Sequence, residues 1–207
     1  MGSCVIFCAG DFDGLAEPLT QQDYLIAADG GLVHTQALGL TPDCILGDFD
    51  SLGYTPENAL VFPVEKDDTD AMLAVRRGLG QGCTRFLLYG SLDGPRLDHT
   101  LANFQTLFYL AEQGARGWLI GKTHIVTTIQ NTALTFPAEA QGILSVFCMG
   151  AMARGVTLSG LKYNVENAEL SPAYPLGVSN HFLGQTAQIR VEDGTLLLIY
   201  DRENGLI

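Results

Sequence analysis

The chain has 207 residues, 47% of them hydrophobic and 16% charged, with a net charge of −12; this is the composition of a cored globular protein of one or two domains and excludes a disordered chain. Such acidity repels nucleic acid and anionic membrane unless divalent cations intervene, and no apolar stretch approaches the roughly 20 residues that span a bilayer. The opening MGSCVIFCAGDFDG lacks the basic flank and apolar length of a signal peptide, so a cytoplasmic protein with no membrane and no nucleic-acid partner is expected.

In chain order, Cys4–Ala9 and Tyr24–Ala28 read as strands, the second ending in Asp29-Gly30-Gly31. Residues 31–40 have helical texture, with Gly39 near the stop. A third strand, Cys44–Leu46, delivers Gly47-Asp48-Phe49-Asp50-Ser51, and a fourth, Leu60–Val64, ends at Lys66-Asp67-Asp68-Thr69-Asp70. There Thr69 or Asp68 caps a helix through Ala71, Met72, Val75 and Leu79. Arg85–Tyr89 is a fifth strand, followed by Gly90–Arg96 and a helix over 97–113 with Leu101, Phe104, Leu107, Phe108 and Ala111 on its apolar side. Trp118–Ile120 is the sixth strand. Strand–turn–helix repeated in this way predicts a mostly parallel sheet with helices on both faces over residues 1–121, a Rossmann-like three-layer arrangement.

From Lys122 the texture changes to short β-type runs broken by Gly, Pro, Asn and Ser: His124–Ile129, Ala133–Phe136, Ile143–Phe147, Val156–Leu158, Ala187–Glu192 and Thr195–Tyr200. Asp193-Gly194 between the last two is a hairpin signal. Residues 122–207 are expected to form an all-β sandwich or small barrel. The charge divides unevenly: residues 1–121 carry 16 acids and 6 bases, residues 122–207 carry 7 acids and 5 bases. Cys4, Cys8, Cys44, Cys83 and Cys148 form no CxxC and read as buried reduced thiols.

The polar clusters follow strands, where ligands bind in open α/β proteins. Between Asp43 and Asp70 stand eight carboxylates and one cation, Lys66. In an extended DxD, Asp48 and Asp50 point to one side, and two like charges so placed call for a cation between them. Hard oxygen ligands suit Mg2+, which joins carboxylates to substrate phosphates. With Asp29, Asp70, Arg96 and Asp98 at other strand ends, the set fits a Mg2+-nucleotide. There is no GxxxxGK[ST] and no GxGxxG opening a helix, so phosphates must be held through metal, glycine turns and Arg96.

The order AADGG (27–31), PDCILGDFDS (42–51), KDDTD (66–70) and YGSLDGPRLDH (89–99) with Asn103, followed by LKYNVENAEL (161–170) and GVSN (177–180), resembles the thiamine pyrophosphokinase family over nearly the whole chain. The resemblance implies diphosphate transfer from ATP to the hydroxyl of thiamine, giving thiamine diphosphate and AMP, with Mg2+. It implies an α/β nucleotide domain, a β-sandwich and a homodimer with thiamine between protomers. Carried over by motif, Asp48, Asp50 and Asp70 serve metal and diphosphate, with Asp29 and Asp98 nearby. Arg96 contacts phosphates, with Gly30, Ser51, Lys66, Thr69 and Asn103 on the ATP side. Ser179 and Asn180 touch thiamine from the partner subunit. Pro95 stands where the family often has glycine, and with no N–H it offers phosphate one contact fewer. Asp70 or Asp98 is expected to accept the hydroxyl proton, and Phe182 is the candidate for stacking on thiamine. Competing readings are a pyrophosphokinase for another hydroxymethyl heterocycle such as a pterin, a DxDx[ST] phosphatase with Asp48 as nucleophile, and a non-catalytic binding module.

Overall fold

The computed structural model describes residues 2–207, and the chain divides into two compact units, one ending at Lys122 and the other beginning at Thr123. The fold is mixed α/β and dominated by sheets, with three α-helices among the described residues.

The first unit is built on six parallel strands: β1 (Cys4–Phe7), β2 (Tyr24–Ala28), β3 (Cys44–Gly47), β4 (Leu60–Val61), β5 (Arg85–Tyr89) and β6 (Arg116–Ile120), in the order β6-β5-β1-β2-β3-β4. β1 is central: Cys4 pairs with Tyr24 on one side and Phe86 on the other. Its four residues are fully buried, and strands covered on both faces read as continuous apolar runs. The chain runs from β1 outward to β4, then returns to the other side of β1 for β5 and β6. The order therefore reverses between β1 and β5, and a crevice opens at the carboxyl ends of strands at such a point.

A 3-10 turn over Asp29–Gly31 leads into α1 (Leu32–Ala37). Gly31 is required there, because a Cβ would lie 1.9 Å from the Phe7 carbonyl oxygen. In α2 (Asp70–Gly80), Thr69 is the cap, its Oγ1 accepting from the Met72 N–H at 3.2 Å, and the helix packs on β1, β2 and β3. In α3 (Leu97–Glu112) the buried residues are Asn103, Thr106, Leu107 and Leu110; of the predicted stripe Leu107 is buried, Phe104, Phe108 and Ala111 are half-buried and Leu101 is exposed. Asn103 turns inward because its Nδ2 donates to the Ser91 carbonyl at 2.6 Å. Leu101 is 48% exposed.

The second unit has eight strands: β7 (His124–Gln130), β8 (Ala133–Phe136), β9 (Ile143–Phe147), β10 (Ala153–Ser159), β11 (Val165–Leu170), β12 (Gly177–His181), β13 (Ala187–Arg190) and β14 (Thr195–Asp201). They form the antiparallel runs β12-β9-β14-β7 and β11-β10-β13-β8. Phe136 of one run meets Tyr200 of the other, ring centres 5.1 Å apart. The predicted hairpin at Asp193-Gly194 does not form: β13 pairs with β8 and β10, β14 with β7 and β9. The chain changes sheets there, alongside the β7–β8 corner, where the Gly194 N–H donates to Asn131 Oδ1 at 2.8 Å. β11 and β12 were not anticipated as strands. Among the described residues, no helix is long and apolar enough to cross a membrane.

Candidate active site

Five strand ends, those of β1 to β5, build one cleft of about 530 Å3 in the first unit. Its walls are the loops after β1 and β5, tied together by N–H donation from Gly10 to the Gly90 carbonyl (2.9 Å) and from Asp11 to the Asp93 carbonyl (2.7 Å). Gly90, with φ +64°, has no room for a Cβ, which would lie 2.4 Å from the Cys8 carbonyl oxygen. Asp29, Asp48, Asp50, Ser51, Lys66, Thr69, Asp70, Arg96 and Asn103 line the cleft.

Asp29, Asp48 and Asp50 each offer a carboxylate oxygen within 4.8 Å of the others. The convergence does not come from an extended DxD. Phe49 between the two is buried and left-handed, φ +60°, so a turn brings the carboxylates together. Asp29 is left-handed as well (φ +50°) and only 9% exposed. Ser51 Oγ donates to its Oδ2 at 2.7 Å, and its Oδ1 is buried without a hydrogen-bond partner. An all-oxygen set with one buried carboxylate oxygen unsatisfied fits a hard divalent cation such as Mg2+.

Beside this group, Lys66 Nζ lies 2.6 Å from Asp48 Oδ2 and 3.1 Å from Asp70 Oδ1. The hydrogen bond from Lys66 holds the Asp48 carboxyl below the usual carboxylate range. Burial raises Asp70; the Asp48 and Asp29 charges add to the rise and Lys66 opposes it. Burial also works against the Lys66 ammonium, but its bonds to the two aspartates outweigh it and its pKa is raised.

Other predicted site residues stand elsewhere or are otherwise engaged. Asp98 is 64% exposed and does not line the cleft; it pairs with Arg96, which keeps its carboxyl below the usual range. Gly30 does not line the cleft either; it makes room for Ala9, whose Cβ would be 2.9 Å from an added one. Ser179 and Asn180 lie in β12 of the second unit. Ser179 is exposed, with φ +58° at an irregularity in the β9–β12 pairing. Asn180 is buried and its amide is engaged within the unit: Oδ1 accepts from the N–H groups of Tyr163 (2.9 Å) and His181 (3.0 Å), and Nδ2 donates to the Tyr163 carbonyl (2.7 Å). Phe182 packs on Phe136 at 5.0 Å and is 9% exposed, so it is a core residue. The exposed aromatic that Asn180 positions is Tyr163, 57% exposed, which the sequence did not single out. The lining also includes Asp68, Asp93 and His99; Asp68 pairs with Arg76, and Asp93 accepts from the Lys122 N–H.

The comparisons with known proteins agree across both units. The model of the thiamin pyrophosphokinase catalytic domain matches residues 15–119, and that of the family's vitamin B1 binding domain matches residues 130–196. The thiamine pyrophosphokinase of Bacillus subtilis (strain 168) is 26% identical over 190 residues, 84% of this chain and 85% of its own length. The crystal structure of thiamine pyrophosphokinase from Bacillus subtilis shares the fold with a TM-score of 0.86 at 23% identity, covering 97% of this chain and 99% of that one. A thiamin pyrophosphokinase family protein from Enterococcus faecalis gives 0.81 at 25% identity, with coverage of 97% and 99%. With its catalytic-domain model spanning half of these residues, the chain belongs to the thiamin pyrophosphokinase family.

Proposed function

We propose that the protein transfers a diphosphate group from ATP to the hydroxyl of thiamine, giving thiamine diphosphate and AMP, in a cleft that uses Mg2+. The observation that carries this reading is the meeting of Asp29, Asp48 and Asp50 with the Lys66–Asp70 pair in one cleft where the strand order reverses. We read the first unit as a Rossmann-like nucleotide domain and the second as a β-sandwich.

Asp29, Asp48 and Asp50 would hold the divalent cation, with Asp70 beside them across Lys66. Bound there, it would neutralise phosphate oxygens as charge shifts between the attacking and leaving groups. The chain's own residues supply alignment and the remaining charge. Arg96, 63% exposed at the rim, presents a planar guanidinium suited to phosphate. Ser51 fixes the Asp29 carboxylate through one oxygen. Of the two acids considered for the hydroxyl proton, Asp98 is held low by Arg96 and stands outside the cleft lining. Asp70 lines the cleft and burial raises its pKa, so its carboxylate is the more basic of the two and the better acceptor. Thiamine is a cation, and the acidic first unit attracts it. Such transfer needs positioning more than a strong base.

We further read the protein as a homodimer with thiamine between protomers. Support comes from β12, the outer strand of its run, with Tyr174, Leu176 and Val178 exposed along and before it. Tyr163 is the aromatic we place against thiamine; Lys162 Nζ already lies 5.3 Å from its ring centre, so the ring accepts a cation. The phosphatase reading is disfavoured, because both family models that match the chain are thiamin pyrophosphokinase domains.

The test is product analysis after incubation with ATP, Mg2+ and thiamine. Thiamine diphosphate with stoichiometric AMP is expected, and Asp50→Asn should abolish it with the fold intact. ADP or free phosphate as the nucleotide-derived product would refute the reading, as would turnover of a pterin in place of thiamine.

A further inference from the structure

Among the described residues, Lys66 is the only lysine lining the cleft, and Arg96 the only arginine. Arg96 is at the exposed rim and paired with Asp98, whereas the Lys66 side chain is 14% exposed and lies between Asp48 and Asp70. Asp48 also belongs to the converging group with Asp29 and Asp50. One carboxylate is thus common to the ammonium and to the group that fits a divalent cation.

We propose that Lys66 is a place-holder cation: it neutralises Asp48 and Asp70 in the metal-free cleft, and leaves them for the incoming phosphate chain when a divalent cation takes the carboxylates. The proposal rests on the reading of the cleft as a metal-dependent phosphate site. Carboxylate oxygens hold Mg2+ at about 2.0–2.1 Å, and an ammonium 2.6 Å from Asp48 Oδ2 occupies that oxygen's approach. Without a cation, Asp29, Asp48, Asp50 and Asp70 would repel one another. Lys66 supplies that cation from within the chain, on a flexible four-carbon stem and in an irregular segment between β4 and α2. Once a metal neutralises the carboxylates, the ammonium loses its reason to stay there. The phosphates then become its strongest partner. Metal and phosphate would bind cooperatively, because the first frees the cation that the second needs.

Mn2+ is the probe, with pyrophosphate as the phosphate source. Free Mn2+ is measured by electron paramagnetic resonance with metal-free wild type, Lys66→Met and Lys66→Arg. Lys66→Met is expected to bind Mn2+ alone about tenfold more tightly than wild type, and to lose most of the gain that pyrophosphate gives wild type; Lys66→Arg should keep weak binding of Mn2+ alone. Reductive methylation of wild type gives a readout independent of the variants' folding. The chain has three lysines, Lys66, Lys122 and Lys162, so the other two are internal references. Lys66 should be protected without metal, modified with Mn2+ alone, and protected again with Mn2+ and pyrophosphate. A Lys66 that stays protected under Mn2+ alone, or Lys66→Met binding Mn2+ no more tightly than wild type, overturns displacement and leaves the metal site standing. Failure of wild type to bind Mn2+ even with pyrophosphate overturns the metal reading, and displacement with it.

Discussion

Ser51 donates its hydroxyl to Asp29 Oδ2 at 2.7 Å, across 22 residues of chain, while Asp29 Oδ1 stays buried without a hydrogen-bond partner. The bond fixes the orientation of a carboxylate that belongs to the group formed with Asp48 and Asp50. Asp29 holds a left-handed φ of +50°, a region that Asn also tolerates. Asp29→Asn should therefore fold normally, with Tm within about 2 °C of wild type, while the Mg2+ concentration giving half-maximal activity rises at least about tenfold. Ser51→Ala should produce a smaller shift in the same direction. Unchanged Mg2+ dependence in Asp29→Asn would remove Asp29 from the metal group.

Two glycines make opposite predictions for one substitution. At Gly31 an added Cβ meets the Phe7 carbonyl oxygen at 1.9 Å and the Cys8 nitrogen at 2.9 Å, and neither belongs to a flexible side chain. Gly31→Ala should cost ~3 kcal/mol, read as a lower urea midpoint. At Gly80, the last residue of α2, nothing lies within 4 Å of the added Cβ. Gly80→Ala should stabilise by ~0.5 kcal/mol, through a less disordered unfolded state and better helix propensity. Equal effects at the two positions would contradict the packing described for the Asp29–Gly31 turn.

Much of the first unit is legible because its strands are buried on both faces and its turns are marked by glycine and aspartate. Cys4–Ala9 reads as a strand and Cys4–Phe7 forms one, buried throughout. What escaped the reading follows from long-range polar bonds. The Asn103–Ser91 bond places a polar residue among the buried positions of α3, and no periodicity carries that information. The left-handed Phe49 hides in a DxD that reads as extended. In the second unit, β11 is mostly exposed, so its residues lack the alternation that marks a half-buried strand. Asp193-Gly194 has hairpin chemistry, yet the partners of β13 and β14 lie in different sheets. The acidic stretch is legible in the sequence; that Lys66 bridges two of its members is set by the path of the chain between β4 and α2.

Arg96 and Asp98 form an ion pair with both side chains more than 60% exposed. Such a pair adds little to stability, so Asp98→Asn and Arg96→Ala should each leave Tm within about 2 °C of wild type. Their effects on catalysis should separate. Arg96→Ala removes a guanidinium that lines the cleft and should raise the KM for ATP about tenfold or more. Asp98→Asn loosens the orientation of Arg96 and should change activity by only about threefold. A loss for Asp98→Asn as deep as that of Asp50→Asn would restore Asp98 to the reacting groups.

Asp70 gives a pH-dependent prediction with a definite sign. Its folded pKa is raised, chiefly by burial. A raised carboxyl contributes most to stability below its unfolded pKa, and that contribution is lost as pH rises through the folded value. Asp48 is lowered by Lys66, so its contribution is present above the unfolded pKa and lost on acidification. Replacing Asp70 with Asn removes the cost of ionising a buried group while leaving an oxygen to accept from Lys66. In EDTA, Asp70→Asn should come closest to wild type below the ordinary carboxylate pKa and become progressively more stable than wild type as pH rises through the raised folded value. The Tm difference from pH 4 to 7 is the measurement. The same variant should lose activity at every pH, because the raised carboxyl lines the cleft and stability is exchanged for function there. A Tm gap that narrows as pH rises would mean that Lys66 stabilises the Asp70 carboxylate more than burial penalises it.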